Sequence, residues 1–282
     1  MESAFAIPSY VVMPLFSKLG ALYAIVKAMW TDVVDLNEFY RSALGRTAQR
    51  IIRPRIRVLW PNVRGMSVLG LGYATPYLTP FRGEAARTLA VMPPSQGATP
   101  WPRDEPGLVS LADEVELPFE DLSIDRLLLI HAVECGEQLR AMMREAWRVL
   151  SESGRMIVVV PNRRGIWSRV EGTPFGQGYP FSKGQLRRLL QDCLFTPMEM
   201  ANALYVPPVD RRLLLGSAPA IERIGDRLYP TFSGVLIVEA SKQIYAATPV
   251  AARTRRRLVA LPGGAASVRA VERTGDSETE HC

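Results

Sequence analysis

From about residue 32 to residue 245, short apolar runs alternate with stretches of helical period, and this alternation predicts an α/β domain built on a largely parallel sheet. The first strand reads as residues 67–71, followed by a glycine-containing turn and a helix beginning at Pro76, a residue suited to the first helical turn. Pro80 keeps that helix short. Further strands are expected at 88–92, 108–111 and 124–131, and the unbroken run Leu127, Leu128, Leu129, Ile130 predicts burial on both faces. Residues 137–150 carry Leu139, Met142, Met143, Ala146, Val149 and Leu150 at helical spacing, with Gly154 as the expected stop, and a fifth strand follows at 156–160. Ser182 and Gln185 form a capping box, with Phe181 and Leu186 placed as its hydrophobic staple, so a helix is expected over 183–191. Two last strands, 195–200 and 234–242, flank a helical stretch at 218–228. They are too closely connected for parallel crossovers and predict an antiparallel pair at one edge. No internal repeat is visible.

The two ends differ from this pattern. Residues 4–30 are apolar and nearly free of acid, yet Pro8, Pro14, Lys18 and Lys27 interrupt any membrane span of about 20 residues. Basic residues follow the apolar stretch instead of preceding it, which is not the order of a signal peptide. A weak contact with a membrane surface through an amphipathic helix is left open, as is a start at Met29. From Thr248 the chain turns to Ala, Arg, Gly, Ser, Thr and Glu and reads as a disordered tail. The expected organisation is an extension at 1–30, a domain at 31–247 and a tail at 248–282.

Composition narrows the function classes. Three scattered cysteines (Cys135, Cys193, Cys282) and two histidines (His131, His281) form neither a disulfide framework nor a metal-ligand pattern, so a reducing, cytoplasmic setting and no structural metal are expected. The net charge of +6 is uneven, with Arg46, Arg50, Arg53, Arg55 and Arg57 closely spaced. They read first as the solvated side of an amphipathic helix that turns Ala48, Ile51, Ile52 and Ile56 inward, and second as a face for an anionic partner. Aromatic residues are not interleaved with them, so a nucleic-acid platform is not expected.

Three stretches carry a family resemblance. Val-Leu-Gly-Leu-Gly-Tyr-Ala-Thr-Pro-Tyr-Leu at 68–78 resembles the first-strand motif of class I S-adenosylmethionine (SAM) dependent methyltransferases of the type 11 methyltransferase-domain family. The acidic segment around Leu117-Pro118-Phe119 at 113–125 is similar to that family's segment before the fourth strand, and residues 144–155 resemble its helix and glycine turn before the fifth. The resemblance covers about residues 33–245. It implies a Rossmann-like sheet of seven strands, mostly parallel with an antiparallel edge strand and helices on both faces, and SAM as cofactor. By the same resemblance Gly70, Gly72, Ala74, Asp113, Glu114 and His131 are the expected cofactor-binding residues.

The motif is altered where the cofactor would lie. Gly70 stands where the family has an acid, and Ala74 and Pro76 replace later glycines. At the end of the second strand Val91, Met92 and Pro93 offer no side-chain acceptor for ribose hydroxyls. His131, with Glu134 on the same loop, is the candidate general base, at the strand edge where doubly wound sheets bind ligands. No His/Asn pairing pattern marks Cys135 as a nucleophile. Arg163, Arg164 and Trp167, in a long glycine- and aromatic-rich loop, are candidates for holding an anionic small-molecule or lipid-like acceptor. The alternatives are a methyltransferase-like scaffold without catalysis, and an RNA methyltransferase using the segment around Arg46 to Arg57. Oligomeric state is not encoded in any feature of the sequence.

Overall fold

The computed structural model describes residues 32–243. The expected extension at 1–30, its surface contact and the tail at 248–282 lie outside the described residues. Seven strands form one sheet: β1 (Ser67–Gly72), β2 (Arg87–Met92), β3 (Val109–Leu111), β4 (Ile124–Ile130), β5 (Leu150–Pro161), β6 (Phe195–Ala203) and β7 (Val235–Lys242). Their order is β3-β2-β1-β4-β5-β7-β6. The first five pair parallel, while β7 inserts antiparallel between β5 and β6. The architecture is the one expected from the apolar alternation.

Helices cover both faces. α1 (Val33–Arg41), α2 (Ala43–Leu59), the one-turn α3 (Thr75–Leu78), α6 (Arg212–Gly216) and α7 (Ala218–Leu228) accompany one another in sequence with α4 (Leu139–Val149) and α5 (Lys183–Asp192) between them. Leu36, Tyr40, Ala48, Ile52 and Ile56 join Val68 and Leu128 in the core on one side of the sheet, whereas Met142, Met143, Ala146, Leu186 and Leu190 join Leu69 and Leu129 on the other. Residues alternate between the two cores along each central strand because side chains of a strand point to opposite faces. α2 turns Leu44, Ala48, Ile52, Ile56 and Leu59 inward. Its outer arginines are partly committed, since Arg55 pairs with Asp226 at 2.9 Å and Arg57 with Glu84 at 2.7 Å.

Two boundaries differ from expectation, and one strong local expectation holds. α4 ends at Val149, because Leu150 is already extended and opens β5, so Gly154 lies inside the strand near its irregular pairing with β4. The capping box is present as expected: Gln185 N–H donates to Ser182 Oγ at 3.3 Å, and Ser182 N–H donates to Gln185 Oε1 at 3.0 Å.

The acidic Leu-Pro-Phe segment is held by the helix that follows it. Arg148 donates to the carbonyls of Phe119 (2.9 Å) and Leu117 (3.1 Å) and to Glu145 Oε1 (2.6 Å), while Glu145 also accepts from Leu117 N–H at 2.8 Å. The hydrogen bond from Arg148 is the main reason the Glu145 carboxyl lies below its usual 4.5. A lowered folded-state pKa contributes stability above the unfolded value and loses it as pH falls through that value and below. Glu145→Gln is therefore expected to flatten the fall in melting temperature between about pH 5 and pH 3, measured against wild type.

Candidate functional site

The strand order reverses between β1 and β4, where β2 and β3 have gone to one side and β4 and β5 to the other. In an open parallel sheet, the crevice beyond the carboxyl ends of such strands is the ligand site. Gly72 ends β1 with φ of +79°, and a Cβ there would lie 2.4 Å from the carbonyl oxygen of Ile130. Only glycine permits both the left-handed backbone and that close approach to β4. His131 follows β4 directly, itself at φ +53°, an uncommon conformation for a residue with a side chain.

A buried polar cluster surrounds His131. Tyr40, from the end of α1, places its hydroxyl 2.8 Å from His131 Nε2, and Tyr77 places its own 3.1 Å from that of Tyr40. His131 Nδ1 lies 3.3 Å from Glu134 Oε1, with the two side chains 1% and 0% exposed. Burial, followed by the neighbouring Tyr77, pushes the Tyr40 phenol well above its ordinary value, so it stays protonated and can donate. Facing the Glu134 carboxylate, which can only accept, Nδ1 carries the ring proton and Nε2 accepts from Tyr40. The Tyr40 ring is stacked on Tyr73 (centroids 5.5 Å, 20° between planes), and Phe175 lies 4.8 Å from the His131 ring. Burial raises the Tyr73 phenol to about 12.

Gln96, in the loop after β2, donates from Nε2 to the His131 carbonyl at 3.1 Å. Its Oε1 and both carboxylate oxygens of Glu134 are buried without a hydrogen-bond partner. A buried acceptor left unpaired costs about 1–3 kcal/mol. Three of them beside one histidine make a site that suits a ligand rich in donors.

Outside the cluster lies a cavity of about 550 Å³ lined by Phe39, Pro174 and Gln177 and by the carboxylates Asp35, Glu38, Glu171 and Asp210. Phe39 is its link inward, packing edge-on against Tyr40 at 5.1 Å and Phe175 at 6.2 Å.

The structure brings His131 and Glu134 together and disperses other sequence candidates. Gly70 lies within β1, where a Cβ would meet Ala74 Cβ and Leu78 Cδ1 at 2.7 Å each, so Gly70 and Ala74 allow α3 to pack on the strand. Asp113 is exposed and caps its own turn, accepting from Val115 N–H at 3.0 Å. Glu114 is less exposed, and burial raises its carboxyl above the usual 4.5. The expectation for Trp167 is corrected: it is 1% exposed, donates from its indole to the Val206 carbonyl at 2.8 Å and meets Phe175 edge-on at 5.6 Å, because a ring of that size is buried in the core. Arg163 and Arg164 are exposed. Arg164 lines a separate cavity of about 310 Å³ with Asn162, Ser182 and Lys183. Among the described residues no hydrogen bond or ion pair joins either arginine to the histidine cluster.

Sequence reasoning missed Tyr40, Tyr73, Gln96 and Phe175. Tyr40 follows Leu36 at a spacing of four on the buried face of α1 and reads as ordinary core. Gln96 stands in a proline-rich stretch with no period, where only the turn composition Pro-Pro-Ser-Gln-Gly is legible.

The sheet order, its antiparallel strand and the crevice define the class I methyltransferase fold. Residues 70–158 match the model of a family described as a methyltransferase domain, which bears out the resemblance read from the motifs. A SAM-dependent methyltransferase from Thermotoga maritima superposes with a TM-score of 0.57 at 17% identity, covering 75% of this chain and 96% of that one. A methyltransferase from Haloferax volcanii, solved with an activator protein, gives 0.51 at 16% identity over 74% and 97%. The [4+2]-cyclase SpnF gives 0.51 at 20% identity over 73% and 84%. At these identities the likeness shows the fold, and the cyclase illustrates that one fold carries more than one chemistry. No curated protein sequence matches the chain.

Proposed function

We propose that the protein is a SAM-dependent methyltransferase acting on a small-molecule acceptor, with His131 as general base and Glu134 as the group that orients it. The observation carrying this reading is the fully buried His131–Glu134 pair at the sheet's ligand crevice, 3.3 Å apart, flanked by acceptors without donors. SAM supplies an activated methyl group on a sulfonium, together with an α-ammonium and two ribose hydroxyls that are donors. The residues present fit such a group. Gly72 allows close backbone approach, and the unpaired Glu134 and Gln96 oxygens suit an ammonium and a hydroxyl.

Methyl transfer is an in-line displacement in which positioning supplies much of the acceleration, and a base is needed only where the acceptor nucleophile carries a proton. His131 Nε2 is the basic lone pair, and the Tyr40 hydroxyl now rests on it. An acceptor hydroxyl or amine would take that place or pass its proton along it. Glu134 stabilises the imidazolium that forms. The four carboxylates of the outer cavity favour an uncharged or cationic acceptor over the anionic one suggested by Arg163 and Arg164.

Calorimetric titration of the full chain with S-adenosylhomocysteine tests the reading. Saturable one-to-one binding is expected, and folded protein that gives no heat would refute it in favour of a scaffold without catalysis. A second measurement reads the base itself. Only two histidines are present, so ¹⁵N-detected side-chain spectra isolate His131. The Nδ1–H tautomer is expected in wild type, and Tyr40→Phe is expected to move the Nε2 resonance while leaving the melting temperature within a few degrees. An Nε2–H tautomer would remove the proposed base.

A further inference from the structure

Resting on the cofactor reading above, we propose that Gln96 performs the hydroxyl-binding task that the end of β2 lacks: its amide oxygen accepts from the ribose diol of the bound nucleoside. The last residues of β2, Val91 and Met92, and Pro93 after them have no side-chain acceptor and are buried. Immediately after Pro93 the chain doubles back. Gln96 N–H and Gly97 N–H both donate to the Pro93 carbonyl, at 3.0 and 3.1 Å, and Gly97 takes φ +81° where a Cβ would lie 3.2 Å from Val33.

That turn sends Gln96 across the crevice. β1 lies between β2 and β4 in the sheet, yet Gln96, rooted beyond β2, reaches the carbonyl of His131, rooted beyond β4, at 3.1 Å. Its side chain therefore bridges over the end of β1, where Gly72 stands. Its backbone carbonyl accepts from Val33 N–H at 2.8 Å, which ties the turn to the start of α1.

The orientation of the amide is settled by chemistry. A carbonyl can only accept, so the edge facing His131 O must be the NH₂ group, and flipping the amide would set oxygen against oxygen. The other edge is then the oxygen, and it has no donor although the residue is 1% exposed. Packing alone would favour an apolar side chain there, because a buried orphan acceptor is a net cost that only a ligand's donor removes. Asp113, the acid nearest in sequence to an expected nucleoside contact, is exposed and already caps Val115. Gln96 is the acceptor that faces the crevice.

The test is a ligand-by-variant cycle read by calorimetry, comparing S-adenosylhomocysteine with its 2′,3′-dideoxy analogue on wild type and on Gln96→Leu. Wild type is expected to bind the dideoxy analogue about tenfold more weakly. Gln96→Leu is expected to bind S-adenosylhomocysteine about tenfold more weakly than wild type and to lose most of its discrimination between the two ligands. Gln96→Met serves as the near-isosteric replacement should the leucine variant not fold, and Gln96→Glu, which keeps an acceptor, is expected to retain discrimination. If the variants weaken both ligands by the same factor, Gln96 only shapes the loop and the assignment is wrong, while the cofactor reading stands. If wild type binds neither ligand, both fall together.

Discussion

Gly72→Ala is expected to destabilise the domain by about 3 kcal/mol, one of the two largest effects anticipated for a single substitution. A left-handed backbone costs a residue with a Cβ about 1–2 kcal/mol. The remainder comes from the Cβ itself, which would stand 2.4 Å from the Ile130 carbonyl and 3.0 Å from the His131 carbonyl, so that β1 and β4 must part. For a domain of this size the melting temperature should fall by about 6–12 °C. A control is at hand in Gly184, near the start of α5, where an added Cβ would meet no atom within 4 Å and φ is unremarkable. Gly184→Ala is expected to be neutral or to stabilise by about 0.5 kcal/mol. Equal losses at both positions, measured by denaturant unfolding, would show that the β1 turn is not the constrained point described above.

Glu222→Ala is expected to cost about 3–5 kcal/mol by the same measurement. Glu222, on α7, is buried and accepts from three backbone N–H groups: Leu204 at 3.1 Å, Tyr205 at 2.5 Å and Val206 at 3.1 Å. Truncation leaves all three donors without an acceptor. The consequence reaches the crevice, because Val206 accepts from the Trp167 indole, Trp167 packs on Phe175 and Phe175 on His131. Burial lifts the Glu222 carboxyl above 4.5 even though three donors pull it down. Its folded form thus binds its proton more readily than the unfolded chain does, so its contribution declines as pH rises through the lifted value, opposite in sign to Glu145.

Much of this architecture was legible because it rests on period and on capping. The run at 127–130 marked a central strand, the spacing of Met142, Met143, Ala146 and Val149 marked the helix beneath it, and Ser182 with Gln185 marked a helix start to the residue. Boundaries set by tertiary pairing were not legible. Gly154 carries the signature of a helix stop, yet Leu150 is captured by Ile124 of the neighbouring strand five residues earlier in the chain than Arg155 meets Arg126.

The site was legible only in part, for a related reason. His131 and Glu134 stand three apart on one loop and could be read together. Tyr40 is separated from His131 by 91 residues and Gln96 by 35. Nothing in the period of α1 distinguishes a tyrosine that packs from one that also bonds a histidine. Trp167 shows the converse error, in which a loop tryptophan beside two arginines suggests a surface grip but is drawn inward by its own apolar area.

The clasp of Arg148 and Glu145 on the backbone of Leu117 and Phe119 bears on what kinship by motif means. The two stretches by which this chain is most easily recognised fasten each other, on the flank of the sheet away from His131. Descent is thus written in residues that keep the frame standing, while Tyr40, Gln96, His131 and Glu134 answer to the reaction. Within such a lineage the crevice is free to be rewritten, or emptied of purpose, with the family signature left intact.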